Sequence, residues 1–122
     1  MIDDYFYIQQ CTPYSPLKGI VRVRLNPDCR VYEGHFPGTP VSPGVCNIEM
    51  IRRCAEVVHG GELRILYIKQ CRLTTMMSPF SHPNVDVSID MQEKEPGVYR
   101  LSASIGEGDM AYLTLKADVS DE

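Results

Sequence analysis

Alternation of apolar and polar residues dominates the last third of the chain. Val85, Val87, Ile89 and Met91 are separated by Asp86, Ser88 and Asp90; Tyr99, Leu101, Ala103 and Ile105 follow the same rule, as do Ala111, Leu113, Leu115, Ala117 and Val119. A period of two puts each set on one face of a strand. The pattern predicts strands over 84–91, 98–105 and 110–119. They are joined as a meander through Glu95-Pro96-Gly97 and Gly106-Glu107-Gly108-Asp109, whose residue types suit tight turns. Upstream, 5–10 and 19–25 read as two further strands linked through Pro13, Ser15, Pro16 and Gly19, and 63–75 reads as a long strand with room for a bulge. Only 44–58 departs from this period. At 100° per residue, Glu49, Arg52, Arg53 and Glu56 fall on one narrow polar stripe, with apolar residues and the lone polar Asn47 around the rest, and His59-Gly60-Gly61 supplies a stop. The expected class is α+β: a single domain over 1–122 in which one helix covers the buried face of an antiparallel sheet.

Composition narrows this picture. With 122 residues, 43% of them hydrophobic and 23% charged, the chain suits one small globular domain and neither disorder nor a disulfide-dense miniprotein. A domain of that size has little volume for a deep pocket of its own, so an active site is expected to be shared between subunits. No run approaches the ~18 apolar residues of a membrane span, and the start Met1-Ile2-Asp3-Asp4 is acidic where a signal peptide is basic. A cytoplasmic protein with no membrane partner is expected. Cys11, Cys29, Cys46, Cys54 and Cys71 are odd in number and lack a Cys-x-x-Cys pair, which argues for buried small hydrophobes rather than disulfides or a zinc knuckle. Residues 1–75 carry nine basic and seven acidic side chains, and residues 76–122 carry three and nine. No Lys/Arg run interleaves with aromatics, so nucleic acid is not an expected partner.

The stretch from Gly34 to Glu49 is what composition leaves unexplained. Prolines at 37, 40 and 43 enforce an extended, stiff course up to a helix that opens at Gly44. His35, whose ordinary pKa of ~6.5 suits proton transfer near neutrality, precedes them. At Gly44 the unpaired N–H groups and positive end of a helix can polarise a carbonyl oxygen, and Glu49 lies five residues further on. A base, an oxyanion donor and a carboxyl together form a set able to remove a proton beside a carbonyl and help a neighbouring hydroxyl leave. No metal-ligand spacing, phosphate-binding glycine loop or Ser-His-Asp order accompanies them.

Gly34-His35-Phe36-Pro37-Gly38-Thr39-Pro40-Val41-Ser42-Pro43-Gly44-Val45, followed by Cys46-Asn47-Ile48-Glu49, resembles the signature of the 3-hydroxyacyl-[acyl-carrier-protein] dehydratases of fatty acid synthesis. The resemblance implies a hotdog fold, an antiparallel sheet wrapped around a central helix. It implies that His35 takes the C2 proton of a 3-hydroxyacyl thioester, that Glu49 protonates the leaving C3 hydroxyl and that the Gly44 N–H holds the thioester carbonyl. Phe36, Pro43 and Val45 would complete the substrate-binding surface. It further implies an acyl carrier protein as partner and the carrier's phosphopantetheine as the only prosthetic group, with no metal or nucleotide cofactor. The assembly would be a homodimer, or a trimer of dimers, whose sites draw His and Glu from different subunits. Glutamate rather than aspartate at 49 points to the branch that dehydrates without isomerising.

The chain departs from that family at Ser42, where methionine is usual, at Val31-Tyr32, where Phe-Phe is usual, and at Arg53, where glutamine is usual. Arg52 and Arg53, at i+3 and i+4, offer Glu49 the ordinary pairing of a solvated helix face. A non-catalytic acyl-binding or scaffold subunit is therefore a competing reading, and a hotdog thioesterase is another. Tyr32, Phe36, Tyr67, Met76 and Met77 are candidates for tunnel lining or plain core. Lys69 and Arg72 are candidates for contact with a carrier. His59 is expected to face the helix end and His82 to lie in a loop.

Overall fold

A computed structural model describes residues 4–32 and 43–122. Six strands and one helix occur in the order β1 (Phe6–Ser15), β2 (Lys18–Leu25), a 3-10 turn (Arg30–Tyr32), α1 (Gly44–His59), β3 (Arg64–Leu73), β4 (Asn84–Glu95), β5 (Val98–Glu107) and β6 (Met110–Ser120). All strand pairings are antiparallel, and the sheet runs β1-β2-β4-β5-β6-β3. β4, β5 and β6 form the expected meander. The first two strands are longer than their sequence pattern suggests. β1 continues through Pro13 to Ser15, which is possible because β1 is an edge strand where a missing N–H costs no ladder bond.

Register explains the core. Val87, Ile105 and Leu113 stand side by side on β4, β5 and β6, with Val21 of β2 extending the row; Ile89, Ala103 and Leu115 form the next row, and Met91, Leu101 and Ala117 the one after. All are buried. The helix buries Cys46, Asn47, Met50, Ile51, Cys54 and Ala55 on them, pairs of residues recurring every four positions. It touches β1, β2, β3, β4 and β5, so the sheet curls round it. Gly19 of β2 permits the close approach of the helix end: a β-carbon there would lie 3.2 Å from the Val58 side chain. Gly60, at φ 89°, ends the helix in the left-handed conformation, with its N–H on the Glu56 carbonyl at 2.7 Å.

Cys29, Cys46 and Cys54 are buried, Cys11 is half-buried and Cys71 is exposed, and all five are free. Burial pushes the Cys54 thiol up to about 12, where it is inert. Met77 and Tyr32 belong to the core, whereas Met76 and Tyr67 are exposed; Phe36 lies outside the described residues. His59 sits in the last turn, edge-on to Tyr99 and 3.6 Å from the Asp121 carboxylate. His82 lies in the β3–β4 connection with its ring 5.0 Å from that of Tyr112.

Asn47, the polar residue off the helix stripe, is 1% exposed and accepts a 2.6 Å hydrogen bond from the Tyr5 hydroxyl. Tyr5 stacks on Tyr32, with ring centroids 6.1 Å apart. Tyr5→Phe is expected to destabilise the protein by about 2 kcal/mol, because it strands a buried carbonyl oxygen. Combining it with Asn47→Leu should recover part of that loss in urea unfolding, since both polar groups are then gone.

Candidate active site

Pro43 precedes the first helical residue in extended conformation (φ −66°, ψ 141°) and, lacking a polar side chain, gives the helix no side-chain cap. Its carbonyl accepts the N–H of Asn47 at 3.1 Å, the first bond of the helical ladder. Gly44 and Val45 follow, both exposed, Val45 at 74%. A β-carbon on Gly44 would meet none of the described atoms within 4 Å. Three of the expected binding residues, Pro43, Gly44 and Val45, are thus together at the positive end of the helix. His35 and Phe36 lie outside the described residues, and the distance from His35 to Glu49 is not part of this geometry.

Glu49 projects from the second turn, its side chain 29% exposed. Both of its oxygens accept hydrogen bonds from Arg52: Nε donates to Oε1 and, at 3.2 Å, to Oε2, while Nη2 donates to Oε2 at 2.8 Å. The other arm of the guanidinium, Nη1, donates to Glu56 Oε2 at 2.8 Å and to the Leu63 carbonyl at 3.0 Å. Glu56 Oε2 also accepts the Leu63 N–H at 2.8 Å. The sequence pattern anticipates pairing of Glu49 within its stripe, but not that Arg52 makes a fork or that the chain returns at Leu63 to close the network. Leu63 carries no sequence signal for this role, which depends on where the Gly60-Gly61 turn sends the chain.

These contacts favour the ionised form of Glu49. The Arg52 hydrogen bonds lower its pKa against the opposing effect of burial, and the charges of Arg52 and Arg53 lower it further. Among the described residues, no group of three or more His, Cys, Asp or Glu side chains is arranged to hold a metal, and no helix is long and apolar enough to cross a membrane.

The family model described as "ApeI dehydratase" matches residues 15–112, a span that includes the whole Gly34–Glu49 motif. The chain belongs to the ApeI-like dehydratase family. It is also 30% identical, over 99 residues, to a 3-hydroxyacyl-[acyl-carrier-protein] dehydratase FabZ of Levilactobacillus brevis, covering 71% of this chain and 67% of the relative. The FabZ of Wolbachia pipientis subsp. Culex pipiens is 26% identical over 120 residues, covering 93% and 82%. Among solved structures, the dehydratase heterocomplex ApeI:P from Xenorhabdus doucetiae superposes with a TM-score of 0.75 at 17% identity, covering 93% of this chain and 96% of that one. An uncharacterized protein from Erwinia carotovora subsp. atroseptica superposes at 0.70 with 19% identity, covering 94% and 93%. These likenesses establish the hotdog fold.

A carboxylate held below its ordinary pKa stabilises the fold at pH values above that of the unfolded chain, and the contribution is lost as pH falls through the folded value. Glu49→Gln is therefore expected to cost about 1 kcal/mol at pH 7 and less at pH 3. Urea unfolding at the two pH values checks this.

Proposed function

We propose that this ApeI-like dehydratase converts 3-hydroxyacyl thioesters carried on acyl carrier protein to trans-2-enoyl thioesters, in fatty acid synthesis or a related acyl-chain assembly. The His35 imidazole takes the C2 proton. The electron pair left behind forms the C2–C3 double bond as the C3–O bond breaks, and the departing oxygen receives a proton from Glu49 and leaves as water. The Gly44 N–H, at the helix end, faces the thioester carbonyl and stabilises the negative charge that develops there; Phe36, Pro43 and Val45 line the thioester's approach. The observation that carries this reading is the placing of Glu49 on the helix that opens without a side-chain cap at Gly44, about 7.5 Å along the axis at 1.5 Å per residue. That separation suits one substrate spanning both groups.

A second copy of the chain supports such a site. β3 is an edge strand, with Leu66, Tyr67, Ile68 and Leu73 each at least 40% exposed, and an unpaired apolar edge favours pairing with another strand. The exposure of Val45 beside Gly44 fits the same arrangement, a homodimer with shared sites. For the carrier, Lys69, Arg100 and Lys116 line one shallow concavity with Gln70 and Ser102, a positive surface suited to an acidic protein or the phosphate of its prosthetic arm. That arm is substrate, and the chemistry asks for no resident metal or nucleotide.

The Glu49–Arg52 pair favours one second reading, a non-catalytic acyl-binding or scaffold subunit, because an ionised carboxylate has no proton to give. Incubation with a 3-hydroxyacyl carrier protein separates the two. Under the proposal the 2-enoyl product accumulates, His35→Ala lowers kcat by at least 100-fold, and Glu49→Gln does likewise. Absence of product from the unaltered protein supports the scaffold. Replacing Arg100 and Lys116 with glutamate is expected to raise KM for the carrier-bound substrate several-fold more than KM for a small thioester.

A further inference from the structure

Arg52 stands at the centre of a network that joins the helix's polar stripe to the chain beyond the helix. Its fork spends two nitrogens on Glu49 and the third on Glu56 and the Leu63 carbonyl, and Glu56 returns a bond to the Leu63 N–H. An i,i+3 pair on a mobile surface holds neither partner in place. Here the guanidinium is itself anchored, because the Leu63 backbone is fixed where β3 begins at Arg64, and Leu63 is 3% exposed. The side chains of Arg52, Glu49 and Glu56 are 25%, 29% and 24% exposed, so the network is partly shielded from water.

Resting on the dehydratase reading, we infer that Arg52 is a positioning residue for Glu49, holding its carboxylate in a fork that is itself anchored at Glu56 and the Leu63 carbonyl. In the reaction Glu49 begins protonated and ends as a carboxylate. Arg52 neutralises the charge that appears when the proton leaves, which makes Glu49 a stronger acid, and it thins the protonated population before the reaction begins. The two effects oppose each other, so the result is a displaced pH optimum rather than a simple gain. The other charged groups around the network are Arg53 on the helix, Glu62 and Arg64 beside Leu63, and Asp121 and Glu122 after β6. Arg53 acts on Glu49 in the same sense as Arg52. The three acidic groups and Arg64 lie with Arg52 and Glu56 around one concavity.

The test is a carbon-13 NMR titration of the glutamate side-chain carboxyls, with Glu49 assigned by its disappearance in Glu49→Gln, alongside pH-rate profiles. In the unaltered protein the Glu49 midpoint is expected below the ordinary glutamate value. Arg52→Gln should raise it by on the order of one unit, the scale of losing an adjacent arginine, and Arg52→Lys, which keeps the charge without the fork, should restore part of the shift. The pH-rate limb that Glu49 governs should move upward by the same amount, with kcat rather than KM carrying the change. Glu56→Gln, a milder change that loosens the anchor, should move both in the same direction by less. A merely structural role would lower the melting temperature and move the NMR midpoint, but would leave the pH-rate profile where it was. Equal Glu49 midpoints in folded unaltered, Arg52→Gln and Glu56→Gln proteins would overturn the inference. A shifted midpoint in a protein that never forms 2-enoyl product would uphold Arg52's control of Glu49 and defeat the dehydratase reading instead.

Discussion

A six-stranded sheet has one face to hide, and this chain supplies one helix to hide it. The rest of the molecule is arranged around that shortage. The helix must present a continuous apolar face to β4, β5 and their neighbours, which it does with Cys46, Met50, Ile51, Cys54 and Ala55, and the sheet must curl so that strands far apart in its order reach the same helix. Small residues make the fit possible. Ala55 on the helix, Ala103 and Ala117 on the sheet and Gly19 at the helix end admit close approach. Covering the sheet fixes the helix in position and direction, and with it the stripe that carries Glu49.

The same helix therefore serves two purposes on two faces. Its buried face is apolar apart from Asn47, whose carbonyl is satisfied by Tyr5. Its other face is a chain of charges, Glu49 to Arg52 to Glu56, continued to the backbone at Leu63. Along this stripe the carboxylates of Glu49 and Glu56 are matched by Arg52 and the Leu63 backbone, in keeping with the cost of an unmatched charge in a low-dielectric setting. The helix begins at Gly44 after Pro43, which provides no side-chain cap.

Much of this was legible in the linear sequence because the physical signals were local. Alternation in β4, β5 and β6 reports a half-buried sheet directly, and the turn residues at 95–97 and 106–109 mark its corners. The stop at Gly60 follows from the αL conformation that glycine tolerates. The continuation of β1 through Pro13 was not legible, because whether a proline interrupts a strand depends on whether the strand is an edge. β3 was recognisable as a strand, yet its exposed apolar residues acquire meaning only once it is seen at the end of the sheet beside β6. At the site, the motif from Gly34 to Glu49 identified which residues to examine, and periodicity set Asn47 apart from the polar stripe. Their partners came from elsewhere in the chain: Tyr5, 42 positions away, for Asn47, and Leu63 for Arg52.

The sequence by itself determined the α+β class, the positions of the elements and the candidate chemistry, since period, turn residues and a contiguous motif are properties of neighbours along the chain. Only the tertiary structure decided the strand order, the fate of Asn47 and the state of Glu49. Those depend on which residues distant in sequence arrive within hydrogen-bonding reach of one another. Arg52 shows the difference most plainly: three residues from Glu49 on a helix it makes an ordinary i,i+3 pair, but with its third nitrogen held by Glu56 and the Leu63 carbonyl it becomes an anchored cation that lowers the carboxylate's pKa.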